Sequence, residues 1–182
     1  MSFENELYKE INELRRDPSA YSKKISKSKE NFKGNVWIYP ETHEGIQTKE
    51  GPAAYDEAID YLNNISPLEE LVHSKGLTNI SRDFLELFQK NPSDKTDINS
   101  IIDKYGSYSG SFRRLVEFGA PTAEQTIINL IVCDGNKSRV NRDALLDENL
   151  KSVGISSGKH DIYRTCSVIV ACSRFNSDNS DD

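Results

Sequence analysis

The stretch that decides the fold is Leu130-Ile-Val-Cys-Asp-Gly-Asn-Lys-Ser-Arg-Val-Asn-Arg-Asp-Ala-Leu-Leu146. It starts inside residues 122–133, whose second half is apolar almost all round, and that pattern predicts a buried helix. Gly135 is expected to end this helix, and a polar turn then leads into a second short helix. This layout is typical of the wall of a site. Its middle residue, Asn141, is neither a base nor a good metal ligand, so the stretch predicts a fold more readily than an activity.

Outward from this stretch, helical patterns come first and strand patterns come later. Apolar residues at helical spacing occupy residues 3–14, 17–25, 52–62 and 77–88, and strand-like segments occupy 112–118, 153–155 and 163–172. That order favours an α+β layered domain over a doubly wound sheet. We expect one domain over residues 1–175. Residues 176–182 contain only Ser, Asn and Asp and are expected to form an acidic disordered tail.

Charge and hydropathy exclude some classes of function. The formal net charge of -6 argues against a nucleic-acid partner, because phosphate binding needs a positive surface. No run of 18 apolar residues is present, so no transmembrane segment is predicted. The N-terminus has no apolar signal core. A complete gene product of this sequence is expected to stay in the cytoplasm, whereas a trimmed chain says nothing about export.

The cysteines do not form the pattern of a disulfide framework. The chain has three cysteines, namely Cys133, Cys166 and Cys172. A disulfide framework uses more cysteines than this, and an even number of them. Buried free thiols are the expected state. A single disulfide between Cys133 and either Cys166 or Cys172 remains the alternative.

Five stretches, in this order, resemble the CAP superfamily, which is named for cysteine-rich secretory proteins, antigen 5 and plant pathogenesis-related proteins of class 1. They are the Asn-x-x-Arg pattern at residues 12–15, a protist-type insertion at 48–59, the segment around a Gly-Glu-Asn motif at 105–119, the helix and turn at 130–146, and the closing strands at 152–155 and 163–171. The resemblance covers about residues 5 to 175. It implies a three-layer α-β-α sandwich with a central, mainly antiparallel sheet, and a mostly secreted class of proteins.

The family resemblance also implies a central cleft with two His and two Glu side chains that holds zinc in some members. Here the only histidines lie outside residues 74–159, where the cleft histidines are expected. The expected His-Arg pair of the turn is Asn141-Arg142. Counting back from Gly119 places Arg114 at the glutamate of the Gly-Glu-Asn motif.

A degenerate cleft with no metal is therefore predicted. Zinc needs three or four imidazole, thiolate or carboxylate ligands, and in this alignment Asp134 is the one acid that remains. We expect Arg114 to pair with Asp134, so that a salt bridge replaces the bridging metal. Arg114, Asp134, Asn141 and Arg142 are the predicted residues of this cleft, and no catalytic residue or cofactor is predicted.

The function expected from these features is that of a non-enzymatic binding or interaction module. The resemblance implies lipid or sterol binding through an apolar groove in some members, and Trp37 and Tyr39 are the candidates for such a surface here. Trp37 is also expected to pack against the first helices, as aromatic side chains commonly do. The partner is a small apolar ligand or a protein. The alternatives are a metal-dependent hydrolase that uses other residues, and a purely structural protein that binds a partner inside the cell.

Overall fold

The computed structural model describes residues 1–40 and 43–177. The helices in these ranges are α1 (Phe3–Arg16), α2 (Pro18–Lys29), α3 (Pro52–Asn63), α4 (Lys75–Lys90), α5 (Ile98–Ile102), α6 (Ala123–Val132) and α7 (Val140–Leu145). The strands are β1 (Phe32–Lys33), β2 (Val36–Ile38), β3 (Gly45–Gln47), β4 (Val72–His73), β5 (Gly106–Phe118), β6 (Ser152–His160) and β7 (Arg164–Ser177).

Local capping explains where the longer helices begin. The Asp17 side chain accepts the backbone N–H of Ala20 at 2.9 Å, and Pro18 occupies the first turn of α2. The Thr122 hydroxyl accepts the N–H of Gln125 at the start of α6. Helix α6 ends earlier than the sequence predicts, because Cys133 itself adopts the left-handed conformation that closes it, with φ of 51°.

The main sheet has four strands in the order β4-β6-β7-β5. The pairs β5–β7 and β6–β7 are antiparallel, and β4 pairs with β6 in parallel. The expected mainly antiparallel sheet is therefore confirmed. Strands β1, β2 and β3 form a separate antiparallel sheet, which lies outside the strand-like segments predicted from the sequence.

Helices cover both faces of the main sheet. Along β7, Ile169 and Ala171 belong to the core that contains α1, α3 and α6, whereas Val168 and Val170 belong to the core that contains α4 and α5. This alternation follows from the two-residue period of a strand. The chain is thus an α+β domain with a three-layer α-β-α architecture, as predicted.

Gly154 allows α4 to approach the sheet closely. A β-carbon at this position would overlap the backbone of Leu77 and Thr78, which lie in the first turn of α4. Because backbone cannot move aside as a flexible side chain can, only glycine fits this contact between β6 and α4.

The Asn-x-x-Arg pattern of α1 is a structural clamp. The Asn12 amide donates to the carbonyl of Leu71 at 3.0 Å and accepts its N–H at 2.8 Å. Arg15, with 0% of its surface exposed, donates to the carbonyls of Glu69 and Leu145, each at 2.8 Å. These bonds fix the segment before β4 and the end of α7 to the first helix.

All three cysteines are free and buried, so Cys133 forms no bridge with Cys166 or Cys172. Burial raises the pKa of Cys166 to about 12 and that of Cys172 to about 11, which makes both poor nucleophiles.

The last strand passes the boundary predicted at residue 175. Strand β7 extends to Ser177, two residues into the predicted tail, and residues 178–182 lie outside the described part of the chain. Within the described ranges, no helix is both long and apolar enough to cross a membrane.

Candidate functional site

The predicted salt bridge between Arg114 and Asp134 was wrong. The Arg114 guanidinium lies 4.6 Å from the ring centroid of Phe84 and 5.2 Å from that of Phe88, both on α4. Asp134 follows α6 on the other side of the sheet. Even-numbered residues of β5 face α4 while α6 packs on the opposite face, so the two side chains cannot meet.

Asp134 holds the segment after β3 in place. Its two carboxylate oxygens accept the backbone N–H groups of Lys49 at 2.7 Å and Glu50 at 2.8 Å. The Glu50 side chain in turn accepts the N–H of Gly135 at 3.0 Å. The polar turn that the sequence assigned to a cleft is therefore attached to the chain just before α3.

Arg142, which the sequence predicted to line a cleft, instead links helices of the fold. It is 1% exposed, and its guanidinium makes two bonds to the Glu57 carboxylate, at 2.6 and 2.8 Å. A third bond runs to the carbonyl of Ile131. Arg142 thus ties α3 to α6 and α7, and Asn141 beside it is half-buried on α7.

Trp37 and Tyr39 lie together on the small sheet and just after it. Trp37 is 5% exposed, and its indole N–H donates to the carbonyl of Ser28 on α2 at 3.0 Å, which confirms the predicted packing against the first helices. The Tyr39 hydroxyl donates to the carbonyl of Gly119. The two rings meet edge to face, with centroids 5.0 Å apart.

A cavity of about 180 Å³ lies between the β2–β3 hairpin and α6. Four aromatic side chains and two amides form much of its lining: Trp37, Tyr39, Tyr55, Phe118, Gln125 and Asn129. Aromatic walls around a few fixed polar groups are typical of a small-molecule site. Of the residues in the predicted cleft, only Asp134 lines this cavity, and it does so at the end next to α6.

A chain of hydrogen bonds runs beneath the cavity in one direction. The Ser28 hydroxyl donates to Gln125 Oε1 at 2.8 Å, Gln125 Nε2 donates to Asn129 Oδ1 at 2.7 Å, and Asn129 Nδ2 donates to Glu117 Oε1 at 2.8 Å. Trp37 Nε1 joins this chain at the Ser28 hydroxyl, 3.2 Å away. Every donor points toward Glu117, so the carboxylate orients both amides.

Glu117 is the residue that the sequence interpretation missed. It lies on the face of β5 that packs against α6, and it is 9% exposed. Burial raises the pKa of its carboxyl group to about 7, while bonds from Asn129 and from the Ala120 N–H lower it. The two-residue period of β5 could have identified Glu117, because it lies two residues after the buried Leu115 and therefore on the same face of the strand.

In the described part of the chain, no group of three His, Cys, Asp or Glu side chains is arranged to hold a metal ion. The polar groups of the cavity lining are amides, hydroxyls and the Asp134 carboxylate, and aromatic rings lie beside them. Groups of these kinds are able to bind and orient a small molecule by hydrogen bonding and apolar contact.

No protein-family model matches the chain, and no curated protein matches it. Among solved structures, the chain is similar to an outer surface protein of Borrelia burgdorferi, with 16% identity and a TM-score of 0.49 over 67% of this chain and 90% of that chain. It is also similar to a cysteine-rich secretory protein of Staphylococcus aureus, with 16% identity and a TM-score of 0.46 over 67% of this chain. This second match spans 37% of the Staphylococcus chain.

Proposed function

We propose that this chain is a non-enzymatic binding domain, and that its cavity takes one ring-sized, partly apolar group of a ligand. The aromatic lining around Gln125 and Asn129 carries the proposal. Sites for drug-sized ligands measure roughly 300–1,000 Å³, which is more than the 180 Å³ found here. An apolar cavity of about 150 Å³ in another protein holds benzene. A sterol or lipid would thus insert a single ring or chain end.

The position of Glu117 supports binding over catalysis. A carboxyl group with a pKa of about 7 suits a general base. Both of its oxygens, however, already accept hydrogen bonds, and Asn129 rather than Glu117 lines the cavity. Glu117 therefore acts on a ligand through the Asn129 amide, as a positioning residue.

The loss of the family's metal cleft belongs to the same proposal. Where the resemblance expects a histidine the chain has Asn141, and Arg142 beside it is occupied by Glu57. A metal-dependent hydrolase would have to draw its ligands from elsewhere, and no observation in the described residues favours that alternative.

Trp37 gives a direct test, because it is the only tryptophan of the chain and lines the cavity. Cyclohexanol, a ring with one hydroxyl group, is titrated while the emission of Trp37 is recorded. We expect a saturable shift of the emission. A response that rises linearly without saturation would contradict the proposal.

Two matched variants locate the binding. Ile46 lines the cavity from β3 and is exposed, whereas Val72 is exposed on β4, at the far edge of the main sheet. Ile46→Ser is expected to weaken the binding of cyclohexanol about fivefold, because it removes an apolar contact worth about 1 kcal/mol. Val72→Ser is expected to leave the affinity for cyclohexanol unchanged. Equal effects of both substitutions would place the binding elsewhere.

A further inference from the structure

We infer that the group entering this cavity is an organic cation, a protonated amine carried on an apolar ring or chain. The inference rests on the proposed function and names the class of ligand. Three features support it: the negative charge around the cavity, the lack of a basic side chain in the described lining, and the aromatic walls.

Two carboxyl groups supply the negative charge. Asp134 is part of the lining, and each of its oxygens accepts one backbone N–H, at 2.7 and 2.8 Å. Glu117 lies behind the Asn129 amide, which donates to its carboxylate at 2.8 Å. Neutral N–H donors hold a carboxylate in place without cancelling its unit charge, so both charges remain to attract a cation.

The two tyrosine hydroxyls of the lining respond to these charges. Burial raises the pKa of Tyr39, and the Glu117 carboxylate raises it further. Burial is also the largest cause of the raised pKa of Tyr55, and the charge of Asp134 adds to it. A field that opposes the loss of a proton from a hydroxyl also favours a positive charge beside it.

No Lys, Arg or His side chain is among the described residues of the lining. Arg164, whose charge lowers the pKa of Tyr39, is itself paired with Glu44. Lys49 gives its backbone N–H to Asp134, and its side chain lies against Gly135. A ligand cation would therefore not compete with a basic side chain of the described lining.

Aromatic rings provide a second attraction for a cation. The described lining has four aromatic side chains: Trp37, Tyr39, Tyr55 and Phe118. The Trp37 and Tyr39 rings stand nearly perpendicular, at 86°, and form two walls of a corner. A cation within about 6 Å of a ring is attracted by the electrons of its face, and tryptophan is the strongest partner. The same rings cover the apolar carbons of the ligand.

The burial of the lining sets the orientation of the ligand. Trp37 and Tyr55 are 5% and 4% exposed, whereas Asp134 is half-buried. An amine beside Asp134 keeps part of its hydration and avoids the full cost of burying a charge. The Gln47 amide and the Thr48 hydroxyl donate to backbone carbonyls, which leaves their oxygens able to accept an ammonium N–H.

Three cyclohexane probes with different head groups test the charge: cyclohexylammonium, cyclohexanol and cyclohexanecarboxylate. They are titrated into the full chain at about pH 8 and low salt, with Trp37 emission and calorimetry as readouts. Glu117, with a pKa of about 7, is then mostly ionised, and an alkylamine is protonated, as lysine is. We expect the ammonium to bind about tenfold more tightly than the alcohol. The carboxylate is expected to bind at least about tenfold more weakly than the alcohol.

Two matched substitutions locate the charge. Asp134→Asn removes one negative charge from the lining. Asp103→Asn removes one from an exposed position after α5, on the other face of the main sheet. The readout is the ratio of the affinity for cyclohexylammonium to that for cyclohexanol, because a change of cavity shape affects both probes. We expect Asp134→Asn to lower this ratio about threefold or more and Asp103→Asn to leave it unchanged.

Glu117→Gln gives an independent measurement, in case Asp134→Asn loosens the segment that it holds before α3. Glu117 lies behind Asn129 and outside the described lining, so the substitution removes a charge and leaves the walls in place. We expect the same ratio of affinities to fall about twofold to threefold at about pH 8.

The outcomes distinguish the two proposals. If no probe shows saturable binding, the proposed function fails together with the inference. If cyclohexanol or the carboxylate binds as tightly as the ammonium, the cavity binds ligands but the inferred charge is wrong. The same conclusion follows if neither Asp134→Asn nor Glu117→Gln lowers the ratio of affinities.

Discussion

Replacing Glu117 by glutamine tests the buried carboxyl group at the centre of the site. Glutamine keeps the shape of the side chain and removes its charge. The pKa of Glu117 rises from 4.5 to about 7 because burial penalises the ionised form. The folded protein therefore binds the proton more tightly than the unfolded chain does, and the stability contributed by this group falls as the pH rises from 4.5 to about 7.

The size of the effect follows from the pKa. Each pKa unit is worth about 1.4 kcal/mol, so ionised Glu117 lowers the free energy of unfolding by about 3 kcal/mol above neutral pH. Glutamine avoids this cost and still accepts the Asn129 N–H. Its amide group, however, faces the N–H of Ala120, which lies 3.2 Å from the carboxylate, and that conflict costs about 1–2 kcal/mol. We expect Glu117→Gln to be more stable than the wild type by about 1–2 kcal/mol at about pH 8.5.

Urea unfolding followed by circular dichroism measures this difference. Between about pH 5 and pH 8.5, the free energy of unfolding of the variant should rise by about 2–3 kcal/mol relative to that of the wild type. Glu124→Gln, at a half-exposed position on α6, is the control and should show no such change. Parallel pH dependence of wild type and Glu117→Gln would refute the reasoning.

Three further predictions concern the framework around the site. Gly154→Ala should lower the free energy of unfolding by about 2–3 kcal/mol, because the backbone of α4 must move. Gly158→Ala on the same strand comes closest to the flexible end of the Gln89 side chain and should cost much less. Thermal melts of the two variants measure the difference. Arg15→Lys should cost about 2 kcal/mol or more in urea unfolding, since a lysine cannot reach the carbonyls on both sides of the guanidinium, whereas the exposed Arg16→Lys should be near neutral, and equal costs would contradict the clamp. The native protein should react slowly with a thiol reagent at about pH 8, and all three thiols should react after denaturation; rapid labelling of the folded protein would contradict the burial of the cysteines.

The long elements of the fold were predictable from apolar periodicity. Helices α1 and α4 each bury one face, and β7 carries a continuous apolar run that is buried on both faces. The sheet formed by β1, β2 and β3 was not predictable in the same way. Strands of two or three residues contain too little alternation to be recognised, and their pairing depends on the turn geometry.

The candidate site was predicted only in part. Trp37, Tyr39 and Asp134 do line the cavity. The predicted pairing of Arg114 with Asp134 was wrong, because it rested on the spacing of a motif, whereas the alternation of side chains along β5 places Arg114 against α4. Glu117 was missed for the same reason. The bond between Ser28 and Gln125 joins residues 97 positions apart, and no local pattern reveals such a contact.

The attachment of the β2–β3 hairpin has a consequence for how such a domain diversifies. The Asp134 carboxylate accepts the backbone N–H groups of residues 49 and 50, and any residue except proline has such a group. Substitutions in the hairpin can therefore reshape one side of the cavity while these backbone hydrogen bonds stay intact. Under the proposed function, ligand preference and thermodynamic stability can then evolve in separate parts of the polypeptide.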